Sequence, residues 1–177
     1  MRYRRLRIEG AAYFFTVVTY QRRPILQSEE AAGDLMSCLR TVQDAHPFQL
    51  DAYVILPDHF HMIWTLPEGD SDYPMRWRHI KSAFTRKLKN SEPVSRSREL
   101  KSERAVWQRR YWEHTITSEA DFTAHVEYVH FNPVRHGLAA APVAWPHSSF
   151  HDWVKRGLYD RNWGSDDPRL APLKIPE

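Results

Sequence analysis

The sequence predicts an α+β fold with an antiparallel sheet, and three observations carry that reading. Short runs rich in aromatic and β-branched residues alternate with longer stretches of helical periodicity. Two of the short runs are joined by nothing more than Pro57-Asp58, a hairpin signal. At 177 residues, 42% of them hydrophobic, the chain can bury one core and is too short for two full-sized domains.

Residues 13–20 (YFFTVVTY) form the first extended run. Ser28 then caps a helix whose apolar residues Ala31, Leu35, Cys38, Leu39 and Val42 recur at helical spacing, ended by His46-Pro47. Residues 50–56 and 59–66 are the two arms of the hairpin, closed by PEGD. Residues 75–90 read as a second helix with Trp77, Ile80, Phe84 and Leu88 inward, and with Arg76, Arg78, Lys81, Arg86, Lys87 and Lys89 mostly outside that stripe. Residues 91–103 are charged and Ser-rich and read as a mobile loop, and residues 105–116 as an aromatic-rich extended run. Ser118, with Asp121 three residues on, opens the last core helix. The order β-α-β-β-α-β-α contains the split βαβ arrangement of ferredoxin-like folds, an antiparallel sheet with helices packed on it.

Composition narrows the function. One cysteine, Cys38, excludes an intrachain disulfide and a cysteine-based zinc cluster. No apolar run approaches the roughly 18–20 residues that span a bilayer. The opening MRYRRLRIEG has no apolar stretch behind its basic residues, so a cytoplasmic protein without a secretory signal is expected. Charge is sharply segregated. Residues 24–75 hold one basic residue, Arg40, against nine acidic ones, whereas residues 76–110 hold twelve Lys/Arg against three Glu, and Arg2, Arg4, Arg5 and Arg7 crowd the start. Such separation puts a field of one sign over one surface and attracts polyanions.

Two motifs carry chemistry. In His59-Phe60-His61 the strand alternation turns both histidines to one face, about 7 Å apart, where they can converge on one metal ion. The pair also reads as two hydrogen-bonded or exposed histidines. On the last helix Phe122, Val126, Val129 and Pro133 form an apolar stripe, and Asp121, His125, Tyr128 and Asn132 a second one about a quarter turn away. Tyr128 and Asn132 share a face if the helix persists, but Pro133 disfavours helical geometry at Asn132 and makes a helix-end amide the alternative.

Five segments, LPDHFHMIW, RWRHIKSAFT, WQRRYWEHTI, YVHFNPVRHGL and WPHSSFHDWV, in that order closely resemble REP-associated tyrosine transposases. These are HUH endonucleases (U a hydrophobic residue) related to the small single-tyrosine insertion-sequence transposases, and the match runs over residues 3–163. The resemblance implies a single-tyrosine transposase domain over residues 1–140 and a C-terminal tail, residues 141–177, packing on it. It implies His59, His61 and Asn132 as ligands of Mg2+ or Mn2+ and Tyr128 as the nucleophile of a metal-dependent single-stranded DNA endonuclease and strand transferase. That enzyme would act at REP-type hairpins through a 5′-phosphotyrosine, as a monomer or homodimer, in the cytoplasm and associated with the nucleoid.

A phenol is almost entirely protonated at neutral pH, so Tyr128 needs help from the ion or from a base; His125, on the same stripe, is one candidate, and a purely structural histidine is the other reading of it. Arg4, Arg5, Arg78, Lys81, Arg86, Arg109 and Arg110 are the expected phosphate contacts, and Trp107, Tyr111 and Trp112 could stack on unpaired bases. Because phosphate contacts release counterions, affinity for single-stranded DNA should fall steeply as salt rises. A salt titration of binding that stays flat would remove the electrostatic argument.

Overall fold

β1 (Ala12–Val18), buried on both faces from Tyr13 to Val18, is the strand on which the fold is built. The structure, a computed structural model, describes residues 7–88 and 104–165. β1 pairs antiparallel with β3 (His59–Thr65) on one side and with β4 (Trp112–Thr115) on the other; β2 (Gln49–Ile55) lies outside β3, giving the order β2-β3-β1-β4. α1 (Glu29–Ala45) links β1 to β2, and α2 (Tyr73–Lys87) links β3 to β4. Since β3 inserts between β1 and β2, this is the ferredoxin-like arrangement that the element order predicts.

The helices start where the sequence supplies an acceptor. Ser28 Oγ accepts the Ala31 N–H at α1, Asp72 the Met75 N–H at α2, and Ser118 Oγ the Asp121 N–H at α3 (Glu119–Arg135). α1 and α2 cover one face of the sheet, packing on Tyr13, Phe15, Val17, Phe60, Met62 and Trp64. Trp64 stacks on Trp77 with centroids 4.1 Å apart. α3 covers the other face, setting Val126, Tyr128 and Val129 on Phe14, Ala52, Val54 and Ile63. The sheet therefore has two separate cores. No helix of the described residues is long and apolar enough to cross a membrane.

Three local expectations change. Arg76 is buried, not on the outer face of α2: its guanidinium donates to the carbonyls of His46, Pro47 and Asp72 and to the Asp70 carboxylate, tying the end of α1 to the start of α2. α3 runs through Pro133 to Arg135, so Asn132 lies within the helix. A proline this close to a C-terminus removes only one late hydrogen bond, its ring is buried, and Gly137 (φ +67°) supplies the left-handed residue that ends the helix. Of residues 105–116 only the last part is a strand; Trp107 forms a lone bridge to Thr19 and is buried. The loop expected at residues 91–103 lies outside the described residues.

Beyond α3 the chain returns along the outer edge of β2. Ile55 donates its N–H to His147 O (2.9 Å), Ser149 its N–H to Tyr53 O (3.0 Å), and Trp145 and Trp153 their indole N–H groups to Ile55 O and Asp51 O. This covers a sheet edge whose backbone groups would otherwise invite pairing with another chain. A short helix, α4 (Phe150–Lys155), follows, with Phe150 fully buried. His130 reaches from α3 to this segment, its Nε2 2.8 Å from Ser149 Oγ. Burial, with a smaller push from His151, lowers its pKa to about 3.

His130 is thus neutral in the folded protein, whereas in the unfolded chain it takes up a proton below about pH 6.5. Only the unfolded state gains that proton as pH falls from about 6.5 toward 3, so stability drops across this window, by about 2 kcal/mol at pH 5. Urea unfolding at pH 7 and pH 5 should show a smaller loss in His130→Gln than in the parent chain; equal losses would place the titration elsewhere.

Candidate active site

Strand alternation on β3 sends Phe60, Met62 and Trp64 into the α1/α2 core and leaves His59 and His61 under α3. The two rings are buried, with centroids 5.1 Å apart and nearly perpendicular planes. Each is held through Nδ1. His59 Nδ1–H donates to the Asp58 carboxylate at 2.6 Å, and His61 Nδ1 lies 2.9 Å from the hydroxyl of Thr16, its partner across the β1–β3 ladder. Burial alone would raise the Asp58 pKa, but the hydrogen bond and charge of His59, with the Arg22 guanidinium at 3.0 Å, outweigh it and lower it. Holding Nδ1 fixes the ring, so Nε2 is the nitrogen each histidine would offer to an ion, the usual arrangement for metal-binding imidazoles.

α3 brings the other groups. Tyr128 is 5% exposed, with its ring 5.2 Å from that of His61 and 5.9 Å from that of Phe14. The Arg135 guanidinium lies over the Tyr128 ring at 5.1 Å. One turn beyond Tyr128, Asn132 is fully buried, and neither its amide oxygen nor its amide nitrogen has a hydrogen-bond partner among the described residues. A buried polar group left unsatisfied costs about 1–3 kcal/mol, so such an amide calls for a ligand. Two imidazoles and an amide oxygen form a donor set that suits a divalent ion. At the end of the same stripe His136 places its ring 5.0 Å from that of His59.

A second cluster lies across the Phe14 ring, which touches His61 (5.4 Å) on one side and His125 (4.9 Å) on the other. Asp121 is its hub: its carboxylate accepts from His114 Nε2 at 2.9 Å and lies 3.0 Å from His125 Nδ1, whose ring stacks on that of His114. The ligand atoms of His114, Asp121 and His125 lie within 4.8 Å of one another, so this His/His/Asp group is able to coordinate a metal. Burial lowers the His125 pKa, partly offset by Asp121. His125 serves here to clamp α3 to β4.

The expected DNA contacts divide. A groove of about 760 Å³ between α2 and the segment before β4 is lined by Arg78, Lys81, Arg86, Arg104 and Arg109, with Trp77, Trp107 and Tyr111 beneath. Arg78, Arg86 and Arg109 are exposed, while Lys81 donates to Gln108 O at 2.9 Å. Arg110 is exposed but outside this groove. Arg4 and Arg5 lie outside the described residues. Of the aromatics considered for base stacking, Trp107 is core, and Trp112 packs edge-on to Phe14 on the opposite face. The groove and the histidine–tyrosine site thus lie on opposite faces of one sheet.

Sequence reasoning missed the supports. Thr16 becomes visible only through strand register. Asp58 and His136 had a local signal, one directly before His59 and the other four residues after Asn132.

The sequence model for IS200-like transposases matches residues 8–132. Among curated relatives, a REP-associated tyrosine transposase of Escherichia coli is 41% identical over 166 residues, covering 93% of this chain and 91% of that one. A relative in Haemophilus influenzae is 37% identical over 165 residues and covers 93% of each chain. Among solved structures, a REP-associated tyrosine transposase bound to a REP hairpin superposes with a TM-score of 0.81 at 36% identity, covering 100% of this chain and 97% of that one.

Proposed function

Since the chain belongs to the IS200-like transposases, in their REP-associated tyrosine branch, we propose that it cuts and rejoins single-stranded DNA beside REP-type hairpins, with Tyr128 as nucleophile and His59, His61 and Asn132 as ligands of Mg2+ or Mn2+. As a member of that branch it is an HUH-type tyrosine transposase, an enzyme that works on single-stranded DNA through a phosphotyrosine. The observation that carries the residue assignment is the meeting of the Tyr128 and His61 rings at 5.2 Å beside the buried, unsatisfied amide of Asn132. Within one copy of the chain the Tyr128 ring meets that of His61, one helical turn from Asn132.

A divalent ion bound there would neutralise a non-bridging phosphate oxygen and hold the phosphorus for in-line attack. The phenolic oxygen of Tyr128 gives up its proton as it attacks that phosphorus, the bond to the 3′ oxygen breaks, and the leaving oxygen takes up one proton to become a free 3′-hydroxyl, so that no proton is gained or lost overall. The Arg135 guanidinium over the ring favours negative charge developing on the phenol. Because the ester stores the energy of the broken bond, a 3′-hydroxyl of another strand can reverse the step and rejoin DNA without ATP. Asp58 and Thr16 keep the two imidazoles from turning, which preserves the geometry between turnovers.

The hairpin substrate rests on the relative solved with a REP hairpin and on the basic groove beside α2. That groove would hold phosphates through Arg78, Lys81, Arg86 and Arg109, while the single strand passes to the opposite face for cleavage.

Tyr128→Phe should bind a REP hairpin with its single-stranded flank as tightly as the parent chain, yet form no covalent adduct on a denaturing gel in Mg2+ or Mn2+. An adduct that persists would mean another nucleophile.

A further inference from the structure

We propose that His136 supplies a fourth protein ligand to the divalent ion. This rests on the reading that His59, His61 and Asn132 hold that ion.

The backbone places His136 for the role. Tyr128, Asn132 and His136 are spaced four residues apart along one edge of α3, and the His136 N–H donates to Asn132 O at 3.0 Å. Gly137, at φ +67°, then turns the chain away, so the His136 ring stays at the helix end. His136 is exposed whereas His59 is buried, so the stripe runs from the sheltered phenol to the solvent rim.

Ring spacing carries the argument further. An imidazole bound through one nitrogen, at about 2.0–2.1 Å, sets its centroid about 3.2 Å from the ion. Two such ligands subtending about 90–109° then have centroids about 4.5–5.2 Å apart. The His59–His61 pair is at 5.1 Å and the His59–His136 pair at 5.0 Å, both with steeply inclined planes, 82° and 65°. Both pairs thus have the spacing of imidazoles that share an ion, with His59 as the common member. The strand would grip it from below through His59 and His61, and the helix from above through Asn132 and His136. His136 would stand on the solvent side, where a DNA phosphate approaches.

The test uses the full chain with Mn2+ as the probe, in a His114→Ala background that leaves the second cluster only two ligands. Pulsed electron paramagnetic resonance counts imidazole nitrogens on the ion, and calorimetry gives its affinity. His136→Ala should lower the count from three to two and weaken Mn2+ binding about tenfold or more, the scale of even an indirect ligand contact. Because His136 is exposed, the thermal midpoint should stay within a few degrees of the parent value. If His136→Ala changes neither count nor affinity while His59→Ala reduces both, His136 is not a ligand and the inference fails alone. If His59→Ala leaves both unchanged, the ion lies elsewhere, and the inference falls together with the reading beneath it.

Discussion

Burying a polar stripe of a helix against a β-sheet is expensive, and the site exists because this chain does so. α3 turns His125, Tyr128, His130 and Asn132 inward along with Val126 and Val129. Each buried polar side chain must find a partner or cost stability. His125 finds Asp121, and His130 finds Ser149. Tyr128 packs among His61, Phe14 and Arg135. Asn132 alone in the stripe has both polar atoms unsatisfied among the described residues, and it lies one turn from the phenol. Phe14 makes the arrangement compact: one ring on β1 contacts His61, Trp112, His125 and Tyr128.

The sheet itself divides labour. The proposed cleavage site lies under α3, whereas the basic groove lies on the α2 side, so a single DNA molecule serving both would pass around an edge of the sheet. At the β2 edge the way is taken up by Trp145, His147 and Ser149, which hydrogen-bond along that strand. At the other edge β4 is only four residues long and is preceded by the exposed Arg109 and Arg110. The exposed Arg109 and Arg110 therefore border the route around that edge.

Much of this could be read from residue order, for identifiable reasons. Aromatic and β-branched runs marked β1 to β3, and simple alternation separated His59 and His61 from Phe60 and Met62. Helical periodicity found both stripes of α3 but not that both are buried; a stripe of Asp, His, Tyr and Asn looks amphipathic unless a second polar surface receives it. Pro133 left two alternatives open at Asn132, because a local penalty says nothing of how the proline ring packs. Arg76 misled because its cost of burial is met by three carbonyls and a carboxylate from the end of α1 and the start of α2, which periodicity cannot show. The pairing of Thr16 with His61 needed strand register, which emerges only when the strands meet.

The histidines owe their order to a chain of contacts that starts well away from the helix. Thr19, fully buried, gives its N–H to Asp58 O and shares its hydroxyl between Asp58 O and Arg23 O, pinning the turn between β2 and β3. Gln21 and Arg22 follow in left-handed conformations, φ 55° and 51°, that residues with side chains rarely adopt, and this turn presents the Arg22 guanidinium to the Asp58 carboxylate. Asp58 in turn fixes His59. Backbone strain of this kind persists only where surrounding contacts over-determine it. His59 and His61, the proposed metal ligands, are thus set from rigid strands and a pinned turn, while Tyr128, the proposed nucleophile, comes from a helix packed on them. An in-line attack needs the phosphorus held still and the phenol aimed, and on the proposed assignment those two tasks fall to different elements.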